Sequence, residues 1–390
     1  MKKTKYLAAC VAAVMALLVM GCGSGDDDEH GIKYDAEKWA IAGTTLVRYT
    51  GAEADVRVPD GVTVIGESAF TSRGGVVTSV TLPESVKIIE DSAFSGCARL
   101  ASVKMPAGLA MLRDSAFENC TSLESVTIPD SVKSIGNSAF YGCTSLASVT
   151  IPDSVTSIGY WAFWGCTSLA SVEIPGSVKG IGSHAFTGCT SLASVTIPDS
   201  LKSLGWGTFW NCTSLESVTI PDSVESIKGM TFNGCTRLAS VEIPGSVTSI
   251  GEFAFYQCKS LASVTIPDGV TSIGDEAFEN CTSLESVEIP GSVESIGEYA
   301  FEDCTSLASV TIGDGVKSIG DYAFESCTSL ESVTIPDSVE SIGEYAFSNC
   351  KNLTEVKYGG TAEQWKEIGI GSNAFPGGVT ITDKDGNVIS

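Results

Sequence analysis

A single unit of 23 residues is repeated along most of this chain, and the repeat limits the fold more than any other feature. Residues 143–165 read CTSLASVTIPDSVTSIGYWAFWG, and Cys166 begins the same unit again. A fixed period of this length is typical of a solenoid, because one unit cannot bury its apolar face until the next unit stacks on it. The cysteines that keep the step are Cys97, Cys120, Cys143, Cys166, Cys189, Cys212, Cys235, Cys258, Cys281, Cys304, Cys327 and Cys350.

Each unit combines the signals of a strand and of a short helix. Residues 148–151 alternate polar and apolar side chains, which is the period of a half-buried strand, and Pro152 ends that strand because it cannot donate to a ladder. Residues 155–158 form a second short extended stretch. Ala162 and Cys166 are four residues apart on an apolar face, which predicts a short helix. The sequence therefore predicts an α/β solenoid.

The unit resembles a known family of repeats. Its pattern Cys-x-x-Leu-x-x-Val-x-Ile-Pro-x-x-Val-x-x-Ile-Gly-x-x-Ala-Phe is similar to the BspA-like leucine-rich repeat of the Treponema pallidum class, over residues 56–375. The resemblance implies an α/β leucine-rich repeat solenoid, a right-handed stack of 23-residue coils with a parallel β-sheet on one face and short helices on the other. It also implies a microbial surface protein that acts in adhesion or in binding host proteins.

The N-terminus carries the features of a lipoprotein leader. Three lysines precede an apolar run of 14 residues, too short for an ordinary membrane span, so residues 1–21 are predicted to be a signal peptide. Val19-Met20-Gly21-Cys22 resembles a lipobox, which predicts lipidation of Cys22. The alternative is an ordinary secretory signal with an incidental cysteine. We expect an extracytoplasmic, lipid-anchored protein at the outer membrane and cell surface, with residues 22–31 as an acidic flexible tether and the lipid as its only membrane contact.

Both ends of the repeat are expected to be capped, since open coils would expose core and strand edges. Residues 32–70 read as an N-terminal capping coil that begins with a hairpin, and 71–357 as the leucine-rich repeat solenoid. Residues 358–390 read as a C-terminal cap. Thr361 and Gln364 have the spacing of a capping box, and residues 379–389 read as a closing hairpin.

Composition and motifs argue against several classes of function. The net charge of −24 would repel phosphate backbones, so nucleic acid is excluded as a partner. Only His30 and His184 are histidines, and no catalytic or metal-binding motif occurs, which predicts a protein that is not an enzyme and has no cofactor or metal. The repeated cysteines fit either a disulfide ladder or small buried apolar plugs, and we expect the reduced form.

Binding must come from positions that the core does not fix. The residue types vary most at the positions two before and one after the repeated Phe, which are three apart and would share one side of a short helix. Aromatic side chains are concentrated in the middle coils, and the candidate ligand-binding residues are Tyr141, Trp161, Trp164, Trp206, Trp210, Phe253 and Tyr256. These rings either pack structurally between coils or form a patch. A patch would bind host or neighbouring-cell proteins, or alternatively glycans in nutrient capture, with the chain acting as a monomer.

Overall fold

The computed structural model describes residues 38–389, in which the chain forms a parallel β-solenoid. The predicted signal peptide 1–21, the Cys22 lipidation site, the tether 22–31 and the start of the 32–70 cap lie outside the described residues. Consecutive coils pair in register at a step of 23 residues, as in the pairing of Val126 with Val149. The solenoid prediction is therefore confirmed.

The first strand of each coil forms one parallel ladder. Its polar residues face water and its central Val is buried, as in Ser125–Thr127, so the alternation predicted from the sequence is confirmed. Hydrogen bonding divides this ladder into groups of three, two, two and eight strands. The strands are Asp55–Arg57, Ser79–Thr81, Ser102–Lys104, Ser125–Thr127, Ser148–Thr150, Ser171–Glu173, Ser194–Thr196, Ser217–Thr219, Ser240–Glu242, Ser263–Thr265, Ser286–Ile289, Ser309–Ile312, Ser332–Ile335, Glu355–Tyr358 and Thr380–Thr382.

The second extended stretch forms another parallel ladder along the neighbouring side. After it, a repeated glycine allows close approach of the coils, because a Cβ on Gly182 would lie 2.4 Å from the Tyr160 amide nitrogen. The ladder is reduced to isolated bridges around Ile227. Its parallel strands are Thr45–Tyr49, Val64–Ile65, Ile88–Ile89, Met111–Leu112, Ser134–Ile135, Ser157–Ile158 and Gly180–Ile181, then Ser249–Ile250, Ser272–Ile273, Ser295–Ile296, Ser318–Ile319, Ser341–Ile342 and Gly369–Ile370. The strand Trp39–Ala42 adds to its N-terminal end in the antiparallel direction.

The third side of the coil consists of tight turns, so the prediction of short helices was wrong. Trp161 and Gly165 both have left-handed φ angles, of 55° and 68°, and the equivalent residues repeat this conformation in most coils. A left-handed residue breaks a right-handed helix. The Phe163 amide instead donates to the Ala185 carbonyl of the next coil at 2.8 Å. Within residues 38–389, helix is limited to the 3₁₀ turn Thr71–Arg73 and the α-helix Ala362–Trp365.

A continuous column of stacked Phe rings forms the centre of the core. Phe94 and Phe117 have ring centroids 5.0 Å apart and planes within 1° of parallel, and both are completely buried. The cysteine column runs beside it. The thiol of Cys120 donates to the carbonyl of Phe94 in the preceding coil at 3.2 Å, and the same contact repeats to Cys350. All twelve repeated cysteines are free thiols and are buried.

Irregular structure is found at both ends of the stack. Trp39–Ala42 pairs antiparallel with Thr45–Tyr49, which forms the predicted hairpin, and the second of these strands continues in parallel to Val64–Ile65. At the other end, the side chains of Thr361 and Gln364 cap the helix reciprocally, as the capping-box spacing predicted. Both ends thus add hydrogen-bonded structure where the regular repeat stops.

Candidate functional site

Two rows of side chains run along the turn side, one from the positions before and one from the positions after the repeated Phe. We call the positions two residues before each stacked Phe the pre-Phe row, and those one residue after it the post-Phe row. In one coil the Trp164 amide donates to the Trp161 carbonyl at 3.1 Å, and in another the Tyr256 amide donates to Phe253 at 3.2 Å. The sequence predicted that a helix would place the rows on one side, but a turn brings them together instead.

Aromatic rings from four consecutive coils meet in the middle of the solenoid. Trp164 lies 5.9 Å from Tyr141, 5.6 Å from His184 and 6.2 Å from Trp210, measured between ring centroids. His184 also lies 5.8 Å from Trp210. We call these four residues the central aromatic cluster. It unites three of the predicted site residues with a histidine that was not among them.

Small residues beneath the central aromatic cluster create its shape. Thr187 lies in the post-Phe row between Trp164 and Trp210, is buried, and donates its hydroxyl to the Gly207 carbonyl at 2.7 Å. Gly207 has a φ of 55°, and a Cβ there would lie 2.5 Å from Nδ1 of His184. The absence of a side chain on Gly207 therefore leaves space for the His184 ring. The short side chain of Thr187 allows the rings of Trp164 and Trp210, two coils apart, to come into contact.

His184 contributes a mainly uncharged ring to the centre of the cluster. Burial lowers the pKa of its imidazole from the ordinary value of 6.5, which favours the neutral ring. Its Nδ1 atom lies 3.3 Å from the Thr187 hydroxyl. The cluster therefore offers mainly apolar ring surface, with an imidazole, a phenol and two indole N–H groups as polar groups.

The predicted site residues do not form one continuous patch. Phe253 and Tyr256 make a separate edge-to-face pair with centroids 5.7 Å apart. Trp161 is 45% exposed, and its ring makes no contact with another aromatic ring of the described chain. Trp206 is 39% exposed and lies on a different flank, where its ring packs over Gly229. The middle coils thus present one cluster, one pair and two separate tryptophans.

The comparisons with known proteins agree with the repeat geometry. The model of the BspA-type leucine-rich repeat region matches residues 49–170, 162–285 and 271–382, which together cover most of the chain.

The chain belongs to the BspA-type leucine-rich repeat family. A solved leucine-rich repeat protein from Bacteroides ovatus is 29% identical, with a TM-score of 0.55, and the match covers 93% of this chain and 100% of that one. The pneumococcal vaccine antigen PcpA is 22% identical with a TM-score of 0.54, over 87% of each chain, which shows a shared fold. The search of curated proteins found no match. Solenoids of this kind generally present extended surfaces for protein binding and typically have no catalytic site.

Sequence reasoning missed two kinds of residue in these BspA-type coils. His184 and Tyr160 were left out, although Tyr160 is 55% exposed beside Trp161. Both could have been recognised from the sequence, because His184 and Tyr160 differ from the residues at the equivalent positions of neighbouring coils. The second omission is a row of stacked tyrosines in the C-terminal coils, which were not among the candidate ligand-binding residues.

Glutamates form a column in the post-Phe row of the C-terminal BspA-type coils, at Glu279, Glu302 and Glu325. Burial raises the pKa of Glu279 to about 8, with further contributions from the Glu276 side chain and the charge of Glu302. Burial and the charge of Glu325 likewise raise the pKa of Glu302 to about 7. Stacking at a 23-residue step places like charges in adjacent coils, where each disfavours ionisation of the next. The surface character therefore changes along the solenoid from apolar to acidic.

In residues 38–389, no group of three His, Cys, Asp or Glu side chains is placed to hold a metal ion. The segment at Asp383 forms a turn, in which the Asp383 carboxylate accepts from the backbone amides of Asp385 and Asn387. No helix in the described residues is long and apolar enough to cross a membrane.

Proposed function

We propose that this protein is a lipid-anchored, non-catalytic BspA-type repeat protein of the bacterial cell surface that mediates adhesion or protein–protein binding. The central aromatic cluster is the observation that carries the proposal. Partly exposed Trp and Tyr side chains are the residues that most often supply binding energy at interfaces. The predicted partners are host or neighbouring-cell proteins. The protein is expected to act as a monomer and to bind neither nucleic acid nor a cofactor.

The location outside the cytoplasm is supported by the leader-like residues 1–21 and by membership of the family. Lipidation at Cys22 would hold the chain to the outer membrane, and the acidic residues 22–31 would separate the solenoid from the lipid surface. Protease treatment of intact cells tests this display. Digestion of the protein on intact cells is expected, and resistance until lysis would contradict surface adhesion.

The binding role is tested by replacing Trp161, Trp164 and Trp210 together with Ser. Serine already stands in the same rows elsewhere, at Ser138 and at Ser95, so the turns accommodate it. Binding to a panel of immobilised extracellular matrix proteins should weaken at least tenfold, which corresponds to about 1.4 kcal/mol. Circular dichroism should show an unchanged fold.

Two results would redirect this proposal. A triple variant that unfolds would show that the rings act structurally, as the packing of Trp164 against His184 and Trp210 also allows. A folded variant with unchanged affinity would place binding on the Ser, Thr and Glu side chains of the first ladder or at the end caps.

Glycan binding is the second candidate function. The high exposure of Trp161 and Trp206 favours it, because an exposed indole face can stack on a sugar ring. A glycan array with the soluble domain separates the candidates. Binding to defined glycans that is lost in Trp161→Ser and Trp206→Ser would support nutrient capture, whereas a silent array together with matrix-protein binding would support adhesion.

A further inference from the structure

A second aromatic feature lies in the C-terminal coils, away from the central aromatic cluster. Tyr299, Tyr322 and Tyr345 follow one another in the pre-Phe row, and we call them the tyrosine ladder. Their ring centroids are 4.7 Å and 5.0 Å apart, with planes within 9° of parallel. The stacked faces cover one another, so the ladder presents ring edges and hydroxyl groups at the surface.

Carboxylates follow the tyrosine ladder on both flanks. One set directly precedes each tyrosine in the chain, and the other belongs to the post-Phe row. Their charges raise the pKa of the Tyr322 hydroxyl further, after the effects of burial and of Tyr345. The flanking carboxylates are Glu298, Asp321 and Glu344 on the first side and Glu302 and Glu325 on the second.

This negative charge has almost no compensation within its own coils. Residues 275–349 contain sixteen Asp and Glu residues and one basic residue, Lys317, which lies 4.0 Å from Glu294. None of the ion pairs of residues 38–389 involves a carboxylate that flanks the tyrosine ladder. A positively charged partner would therefore gain attraction without having to displace an internal cation.

We propose that the tyrosine ladder and its flanking carboxylates form a docking surface for an Arg- or Lys-rich segment of another protein. Guanidinium and ammonium groups donate to carboxylates, and the phenol oxygens add acceptors at the coil spacing. Stacking holds the tyrosines in place before binding, so little side-chain entropy is lost when a partner docks. This surface is separate from the central aromatic cluster and does not depend on the adhesion function.

The proposal differs from simple attraction to a protein of charge −24. General attraction depends on total charge, whereas the docking surface depends on three uncharged rings. Replacing all three tyrosines with Ser removes the rings and leaves the net charge unchanged. The same turn position already holds Ser115 at φ 54° and Ser138 at φ 51°, so the backbone accepts serine there.

Fluorescence anisotropy with a labelled nona-arginine peptide tests the tyrosine ladder. The Tyr299→Ser, Tyr322→Ser, Tyr345→Ser variant should bind at least tenfold more weakly than the unaltered chain. The matched control replaces Trp161, Trp164 and Trp210 with Ser and should bind the peptide normally. Unchanged affinity of the tyrosine variant for the peptide would overturn the proposal. This holds whether or not the tryptophan variant loses binding to matrix proteins.

A second pair of variants tests the position of the charges. Glu298→Gln, Glu325→Gln, Glu344→Gln neutralises carboxylates on both flanks of the tyrosine ladder and should weaken peptide binding at least tenfold. The matched control replaces three exposed glutamates on the strand side of the solenoid with Gln. It removes the same charge and should weaken binding no more than twofold. Equal losses in both would overturn the proposal and assign the binding to net charge alone. The control positions are Glu285, Glu288 and Glu331.

Discussion

Replacing Phe232 with Ala would remove one ring from the middle of the Phe column. The side chain is completely buried, with ring centroids 5.8 Å from Phe209 and 5.4 Å from Phe255. Burial of a Phe side chain is worth about 1.5–3 kcal/mol. Each of the two ring contacts adds about 0.5–1.5 kcal/mol. The sum agrees with the cost of about 3–5 kcal/mol that is typical of a buried Phe→Ala change.

The solenoid geometry limits how far the structure can relax around the missing ring. Each coil contacts only its two neighbours, and the backbone on both sides is fixed by inter-coil hydrogen bonds such as Phe232 amide to Ala254 carbonyl at 2.9 Å. Collapse of the cavity would require neighbouring coils to move together. We therefore expect most of the loss to appear as a lower free energy of unfolding.

Guanidinium denaturation followed by circular dichroism, in the presence of reductant, measures this loss. The matched control is Asn233→Ser, the next residue in the same coil, which is half-buried in the post-Phe row and should change stability by no more than about 0.5 kcal/mol. A loss below about 1 kcal/mol for Phe232→Ala, with an unchanged denaturant slope, would refute the stacked register described here.

Two further predictions concern ionisable groups. The pKa of Glu279 is about 8 in the folded chain against an ordinary value of 4.5, so the stability that it contributes is complete below about pH 4.5 and is lost as the pH rises to 8. Glu279→Gln should therefore raise the melting temperature at pH 8.5 and leave it unchanged at pH 4.5, and calorimetry that shows the same pH dependence in both proteins would contradict this. Burial raises the pKa of Cys97 and Cys143 to about 12, so iodoacetamide at pH 8 should leave the cysteine column unmodified until denaturant is added. Mass spectrometry of the cysteine peptides checks this, and rapid labelling of the folded protein or disulfide-linked peptides would show that the column is not a buried row of thiols.

Much of the fold could be read from the sequence because a solenoid is nearly one-dimensional. A residue contacts its equivalent one repeat away, so the 23-residue step predicts that Phe209, Phe232 and Phe255 stack. The capping box at Thr361 is equally local, since its two hydrogen bonds join residues three apart. These predictions needed no knowledge of how distant parts of the chain meet.

The site was harder to predict, because side-chain direction on the turn side depends on backbone angles that the residue types conceal. Trp161 and Tyr299 have left-handed φ angles although neither residue type favours them. The same rows therefore read as a helix face in the sequence. Contact between Trp164 and Trp210 also depends on Thr187 and Gly207, two small residues that no aromatic pattern singles out.

The sequence by itself determined the repeat length, the buried column of Phe and Cys and the concentration of aromatic side chains in the middle coils. Only the tertiary structure decided that turns replace helices and that the aromatic residues divide into separate groups. The physical reason lies in the backbone hydrogen bonds. On the turn side, Phe163 and its equivalents donate to the next coil, and this inter-coil bonding takes the amides that a helix would have used within one coil.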